Sequence, residues 1–316
     1  MGAFGRRKRE GVGVLPVCAN FWNRRASWPL TGKLVPGRKI MRSRHRDCFV
    51  TGIPLRTVAV DDVILAYREC GAGAPVVFIS GLGSTMEMWN PPVIEKISRH
   101  FRVIVFDNRG MGFSGGSDKP LSIPLLARDT AALMDALGIP SAHIIGHSMG
   151  GSIAQELALG FPAAVDRLVL VSSTCGGSES VSMQPETMAR LTDKSGTPRD
   201  VTSRMFSLLF PPTWLARHDP ARYCPVIDEV PGNEIVARQA DAFSRWAGSF
   251  SRLEKIRSPT LVVTGSEDVI VPPVNSRIIS GRIAGSELVG IPGAGHGLMY
   301  QEPDRFSDCV REFLDR

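Results

Sequence analysis

The feature that most limits how this chain can fold is an alternation that starts near Leu55. Short, predominantly apolar runs at 75–80, 102–106, 142–145, 167–171, 260–264 and 287–291 recur along it, most of them separated by stretches of helical periodicity. A strand-length run with no polar face has to be covered on both sides. Residues 123–137 show what covers it: apolar positions 125, 126, 133, 134 and 137 share one helical face, and Gly138 ends it. Residues 89–100, 148–159 and 303–314 read as helices in the same way. Buried strands joined by helices imply an α/β fold with a mostly parallel central sheet and helices on both faces. Ligands of such sheets lie beyond the carboxyl ends of the strands. Residues 56–60 and 63–67, on either side of Asp61-Asp62, add a hairpin ahead of this core.

Residues 172–258 break the alternation. No clear strand falls there. Helical stretches at 182–191, 201–210 and 234–250 are joined by Pro-rich segments at 211–212 and 225–231. Helices inserted into an α/β core at this point are expected to cover the site as a lid or cap. The expected organisation is a basic, disordered extension over 1–54, a core built from 55–174 and 256–316, and a helical cap over 175–255, inserted after the sixth strand.

The net charge of +6 comes from 37 Lys/Arg against 31 Asp/Glu in 316 residues. Twelve of the former but only two of the latter fall in residues 1–50, so the remainder, with 25 against 29, is mildly acidic. The body therefore makes no case for nucleic acid. For residues 1–50 three readings stay open: a disordered tail, a true start at Met41, or a basic patch for anionic lipid or nucleic acid. The apolar run at 11–17 is short for a signal peptide and is weakened by Pro16 and glycines. No run of about 18 apolar residues occurs, so no membrane span is expected. Six cysteines without a C-x-x-C pair signal no metal site, read as reduced thiols, and favour a cytoplasmic setting.

Chemistry enters with the pattern G-x-S-x-G, which occurs twice, at Gly112–Gly116 and Gly146–Gly150. The pattern marks a nucleophile elbow only where a strand runs straight into a helix, because the sharp turn strains the serine and admits only small neighbours. His143-Ile144-Ile145 leads directly into Gly146, and a helix follows Ser148. Ser114 is followed instead by Gly115-Gly116-Ser117-Asp118, which starts no helix. Ser148 is the candidate nucleophile.

A serine hydroxyl needs a base of near-neutral pKa. Of six histidines, His45 lies in the extension, His100 ends a helix, His143 begins a strand read as lying on the far edge, and His218 falls in the cap. His147 adjoins the serine with its side chain expected to point away. His296, in Gly293-Ala294-Gly295-His296-Gly297 after the last strand, is the candidate base. Asp268, in the loop after the preceding strand, is the candidate carboxylate that orients it; Glu267 reads as solvated. Backbone N–H groups of Met149 and of Leu82, in Ser80-Gly81-Leu82-Gly83-Ser84, are the expected oxyanion donors.

Together with Asp107-Asn108-Arg109-Gly110-Met111-Gly112, these segments resemble the α/β-hydrolase superfamily over about residues 55–316. The chain looks most like its esterase, enol-lactonase and non-haem haloperoxidase-like branch with a helical cap. That resemblance implies the order Ser148, Asp268, His296 and a bracing role for Asp107 and Arg109. Ser80 stands where many members have His, and a serine at 148 departs from the relatives that use Asp there for dehalogenation or epoxide opening.

The cap and rim are rich in bulky apolar residues: Trp89, Phe206, Phe210, Trp214, Phe243, Trp246 and Phe250. Gly81, Trp89, Trp214 and Trp246 are the residues expected to meet a small-molecule substrate. Arginines at 204, 217, 222, 238, 245 and 252 could supply a carboxylate contact, though most read as solvated. The expected activity is hydrolysis of a carboxylic ester or lactone of a small apolar or aromatic substrate through an acyl-enzyme. Carbon–carbon bond hydrolysis, perhydrolysis and a non-enzymatic ligand sensor are the alternatives. No cofactor is expected, because Gly81 and Gly83 lack the third glycine and distal acid of a dinucleotide site. Association with a second copy of the chain is left open.

Overall fold

A computed structural model describes residues 49–225, 227–229 and 231–316. Eight strands form one sheet: β1 (Arg56–Val60), β2 (Val63–Cys70), β3 (Pro75–Ile79), β4 (Arg102–Phe106), β5 (Ala142–His147), β6 (Val165–Val171), β7 (Thr260–Gly265) and β8 (Glu287–Ile291). Their order is β1-β2-β4-β3-β5-β6-β7-β8. The β1–β2 hairpin is antiparallel and β2 pairs antiparallel with β4, whereas every later pair is parallel. This is the expected α/β-hydrolase fold.

The period-two geometry of a strand divides the apolar runs between two cores. Val77, Ile79, Ile104, Phe106, Ile144, Leu168, Leu170 and Val262 enter one face. There they meet α2 (Ile123–Ala136), α3 (Met149–Gly160) and α7 (Val274–Arg282). Val76, Phe78, Val103, Val105, Ile145, Val169, Val171 and Val263 enter the other, against α1 (Pro91–Ser98) and α8 (Pro303–Leu314). Edge strands β1 and β8 are the partly exposed ones. Local signals fix the helix ends: Ser122 Oγ caps α2 through Leu125 N at 3.2 Å, and Gly138 at φ +66° follows it.

Between β6 and β7 the described residues hold no strand. They form α4 (Pro185–Thr192), α5 (Pro198–Leu209), a short turn of helix at Pro212–Leu215, and α6 (Asn233–Ser244). Hydrogen bonds to the core hold this cap. Asn275 Oδ1 accepts from Val181 N and its Nδ2 donates to Val181 O, both at 2.8 Å. Glu87 Oε2 accepts from Asp228 N at 2.7 Å. Gln239 Oε1 accepts from Gly83 N at 2.9 Å. Leu209 O accepts from Gly297 N at 2.9 Å.

Some elements differ from expectation. The helix expected over 89–100 is confined to Pro91–Ser98, because Pro91-Pro92 sets its start. The one expected over 234–250 ends at Ser244, and Phe250–Lys255 forms a separate 3₁₀ segment after Gly248 at φ +88°. His143 opens β5, a central strand rather than an edge, at the end away from the loops described below. Most of the extension expected over 1–54 lies outside the described residues. Its last part is packed: Val50 is buried, and Arg68 donates to the carbonyls of Thr51 and Ile53. Among the described residues no helix is long and apolar enough to cross a membrane.

Candidate active site

The site assembles beyond the carboxyl ends of β3, β5, β7 and β8. β5 runs into Ser148, which sits at φ 56° and ψ −122°, a conformation costly for any residue with a Cβ. Its surroundings hold it there. Ser148 N donates to Val171 O at 2.8 Å, while its carbonyl accepts from Gly151 N at 2.9 Å and Ser173 Oγ at 2.8 Å. The turn closes only on glycine: a Cβ on Gly146 would lie 2.4 Å from Gly150 O, and one on Gly150 would lie 2.0 Å from Ile79 O. The other G-x-S-x-G serine does structural work. Ser114 Oγ donates to Asp107 O at 2.7 Å and accepts from Ala66 N at 2.8 Å.

The loop after β7 carries Asp268. Its Oδ1 accepts from Ile270 N at 2.9 Å and Val271 N at 2.8 Å, which fixes the carboxylate plane. Its Oδ2 lies 2.8 Å from His296 Nδ1, and both side chains are buried. An ionised carboxylate only accepts, so this contact puts the imidazole proton on Nδ1 and leaves the Nε2 lone pair available. Glu267, the neighbouring carboxylate, is exposed. The His296 loop is tightly enclosed: a Cβ on Gly295 would lie 2.6 Å from Leu209 O, at the end of α5 in the cap.

The loop after β3 completes the floor. A Cβ on Gly81 would come 3.2 Å from Ser148 Cβ, so glycine lets this loop approach the serine. Ser84 N donates to Gly81 O at 3.2 Å, Asn108 Nδ2 donates to Ser80 O at 3.3 Å, and Gln239 takes Gly83 N. Beneath it, Asp107 accepts from Met86 N at 2.7 Å and Phe113 N at 2.9 Å, and burial pushes its carboxyl up to about 7. Arg109 is wholly buried and grips Asp129 through two bonds; it also pairs with Asp62, holding that carboxyl well below its usual range. Both residues brace loops, as the family resemblance implies.

A cavity of about 580 Å³ opens over these loops. Ser148, His296, Gly81, Leu82, Met149, Trp89 and Trp246 all line it. Trp214 does not. It stacks on Phe210 at 4.7 Å and on His218 at 4.5 Å, and so packs the cap's own segments together instead. The six arginines considered for a carboxylate contact also lie outside the cavity lining. Arg204, Arg222, Arg245 and Arg252 pair with carboxylates, and Arg238 donates to the Ser117 and Lys119 carbonyls.

Three participants escaped the sequence reading. His147, expected to point away from the site, lines the cavity with its ring 4.8 Å from that of His296 and Nε2 3.3 Å from His296 O. Burial, reinforced by His296, pulls its pKa down to about 3, which keeps the ring uncharged near neutral pH. Asn275 and Gln239 are the others. They sit among ordinary polar positions of helices, and no spacing rule announces a partner 94 or 156 residues away.

The arrangement gathers a serine on a strained turn and a buried His–Asp pair around one cavity. The sequence pattern of the family described as alpha/beta hydrolase fold matches residues 74–303. The chain is 30% identical to RutD of Azorhizobium caulinodans, which is named as a candidate carbamate hydrolase, over 80% of this chain and 95% of that one. Among solved structures, a hydrolase from Pseudomonas aeruginosa is 29% identical with a TM-score of 0.69, covering 83% of this chain and 98% of its own. The enol-lactonase from Burkholderia xenovorans is 27% identical with the same TM-score, covering 83% of this chain and all of its own. Fold, loop geometry and these likenesses agree: the chain belongs to the alpha/beta hydrolase fold family and is a hydrolase.

Proposed function

We propose that the chain is a serine hydrolase that cleaves a carboxylic ester or lactone in two steps. Ser148 Oγ attacks the acyl carbon while His296 Nε2 takes its proton. Asp268 holds the imidazole in the required tautomer and stabilises the cation as it forms. The N–H groups of Leu82 and Met149 receive the oxyanion. His296 then protonates the leaving oxygen, and water, activated by the same base, releases the acid from Ser148. The observation that carries this reading is the 2.8 Å pairing of buried Asp268 with buried His296, on loops that share a cavity with a strained serine elbow. A carbamate carbonyl is open to the same attack, which brings the chemistry named for the RutD relatives within reach of this machinery.

The test is steady-state hydrolysis of p-nitrophenyl esters from acetate to decanoate, with a phenyl carbamate alongside. Ester turnover that Ser148→Ala abolishes is expected, as is a fluorophosphonate adduct on Ser148 by mass spectrometry. Absence of both in folded wild-type protein would overturn the reading.

A further inference from the structure

The cavity has an unusual lining. No Lys, Arg, Asp or Glu is among the described residues that line it. Six methionines are: Met88, Met149, Met183, Met188, Met205 and Met299. They come from the core loops and from the cap alike, and Trp89, Phe243 and Trp246 fill in between them. The polar groups on the wall are hydroxyls, the Asn275 amide committed to Val181, and two imidazoles, of which His147 is held uncharged by burial. Of the cap arginines, Arg204, Arg245 and Arg252 are bound to carboxylates, Arg238 to carbonyls and Arg190 to Ser207 Oγ, and none of these lines the cavity.

We infer that the substrate presents to this cavity an uncharged, flexible apolar acyl group of medium length, and that an acyl group ending in a carboxylate is rejected. The inference rests on the serine-hydrolase reading for its assay and adds the substrate class. The physical reason is the asymmetry between apolar and ionic transfer. A methylene gains on leaving water, whereas a carboxylate moved into a wall without a cation loses its hydration and finds no partner. Methionine also suits the task. It is unbranched and polarizable, so it repacks around chains of different length, where branched side chains would fix one shape. Volume points the same way, since about 580 Å³ exceeds what a two-carbon acyl group fills. An acid-bearing lactone would therefore be a poor substrate here, although a solved enol-lactonase shares the fold.

The experiment compares two esters of equal length on the full chain near neutral pH: p-nitrophenyl octanoate and p-nitrophenyl hydrogen suberate, which differ by a terminal carboxylate. Octanoate is expected to exceed suberate in kcat/KM by at least about 100-fold. Along the neutral series, kcat/KM should rise roughly fourfold per methylene until the cavity is filled. Suberate turned over within about tenfold of octanoate would overturn the inference and leave the serine mechanism standing. Octanoate left untouched while a shorter ester turns over would overturn the inference alone; should no ester of the series turn over and no fluorophosphonate adduct form, the serine-hydrolase reading fails, and binding decides the inference alone. By calorimetry octanamide should bind and suberamic acid, the same amide with a terminal carboxylate, should not; equal binding would overturn it.

Discussion

Asp268 shows how much chemistry can rest on one atom. Both of its oxygens are committed, Oδ1 to two backbone N–H groups and Oδ2 to His296 Nδ1. Replacement by Asn preserves shape and can keep the Oδ1 acceptor toward Ile270 and Val271. The amide NH₂ then faces the imidazole, which must turn its Nδ1 lone pair toward it and carry its proton on Nε2. That tautomer cannot take a proton from Ser148. We expect Asp268→Asn to lower kcat by about 10⁴-fold with KM little changed. Steady-state kinetics, with near-UV circular dichroism to verify folding, would check it. A loss under tenfold would show that Asp268 does not set the tautomer.

At the scale of elements, the cap is part of the site's construction. Gln239, on α6, is fully buried and supplies the acceptor for Gly83 N, next to Leu82. Gln239→Leu leaves that N–H buried without its partner, at a cost of about 1–3 kcal/mol in stability. Because the loop that loses its anchor is the proposed oxyanion loop, kcat should fall more than KM rises. Chemical denaturation and ester kinetics read the two effects separately, and an unchanged kcat would mean that the loop holds its place without the cap. Contacts of this kind also mark the limit of what the sequence discloses. Strand-sized apolar runs and the residues around Gly146–Gly150 obey local rules, so the eight strands, the elbow and the His296 loop were legible. α7 was not: it buries Asn275 and Ser276 beside Ile279 and presents no continuous apolar stripe. Trp214 was placed at the substrate because a bulky apolar residue in a cap satisfies a pocket and a helix contact equally well. Only the fold chooses between them, and here it stacks Trp214 on Phe210.

Over the whole molecule, two ionisable groups near the cavity floor pull stability in opposite directions with pH. Asp107, raised from 3.8 to about 7 chiefly by burial, keeps in the folded state a proton that the unfolded chain has released. Between those values folding takes up a proton, so stability falls as pH rises. His147, lowered from 6.5 to about 3 by burial and by His296, does the reverse: the unfolded chain binds a proton that the folded state excludes. Over that range stability rises with pH. Where the ranges overlap, from about 4 to about 6.5, the two slopes cancel, and the pair contributes little net proton exchange. Removing one group uncovers the other. His147→Gln deletes the unfavourable protonation, so the variant should gain on the wild type as pH drops below 6.5. The gain is at most about 1.4 kcal/mol per pH unit, and less to the extent that water in the cavity reaches the ring. Urea unfolding of both proteins across this range would measure it. A stability difference that stays constant with pH would mean that His147 titrates alike in the folded and unfolded chains. In that case the imidazole beside His296 would be charged in mild acid, and it would repel the cation that forms on the proposed base.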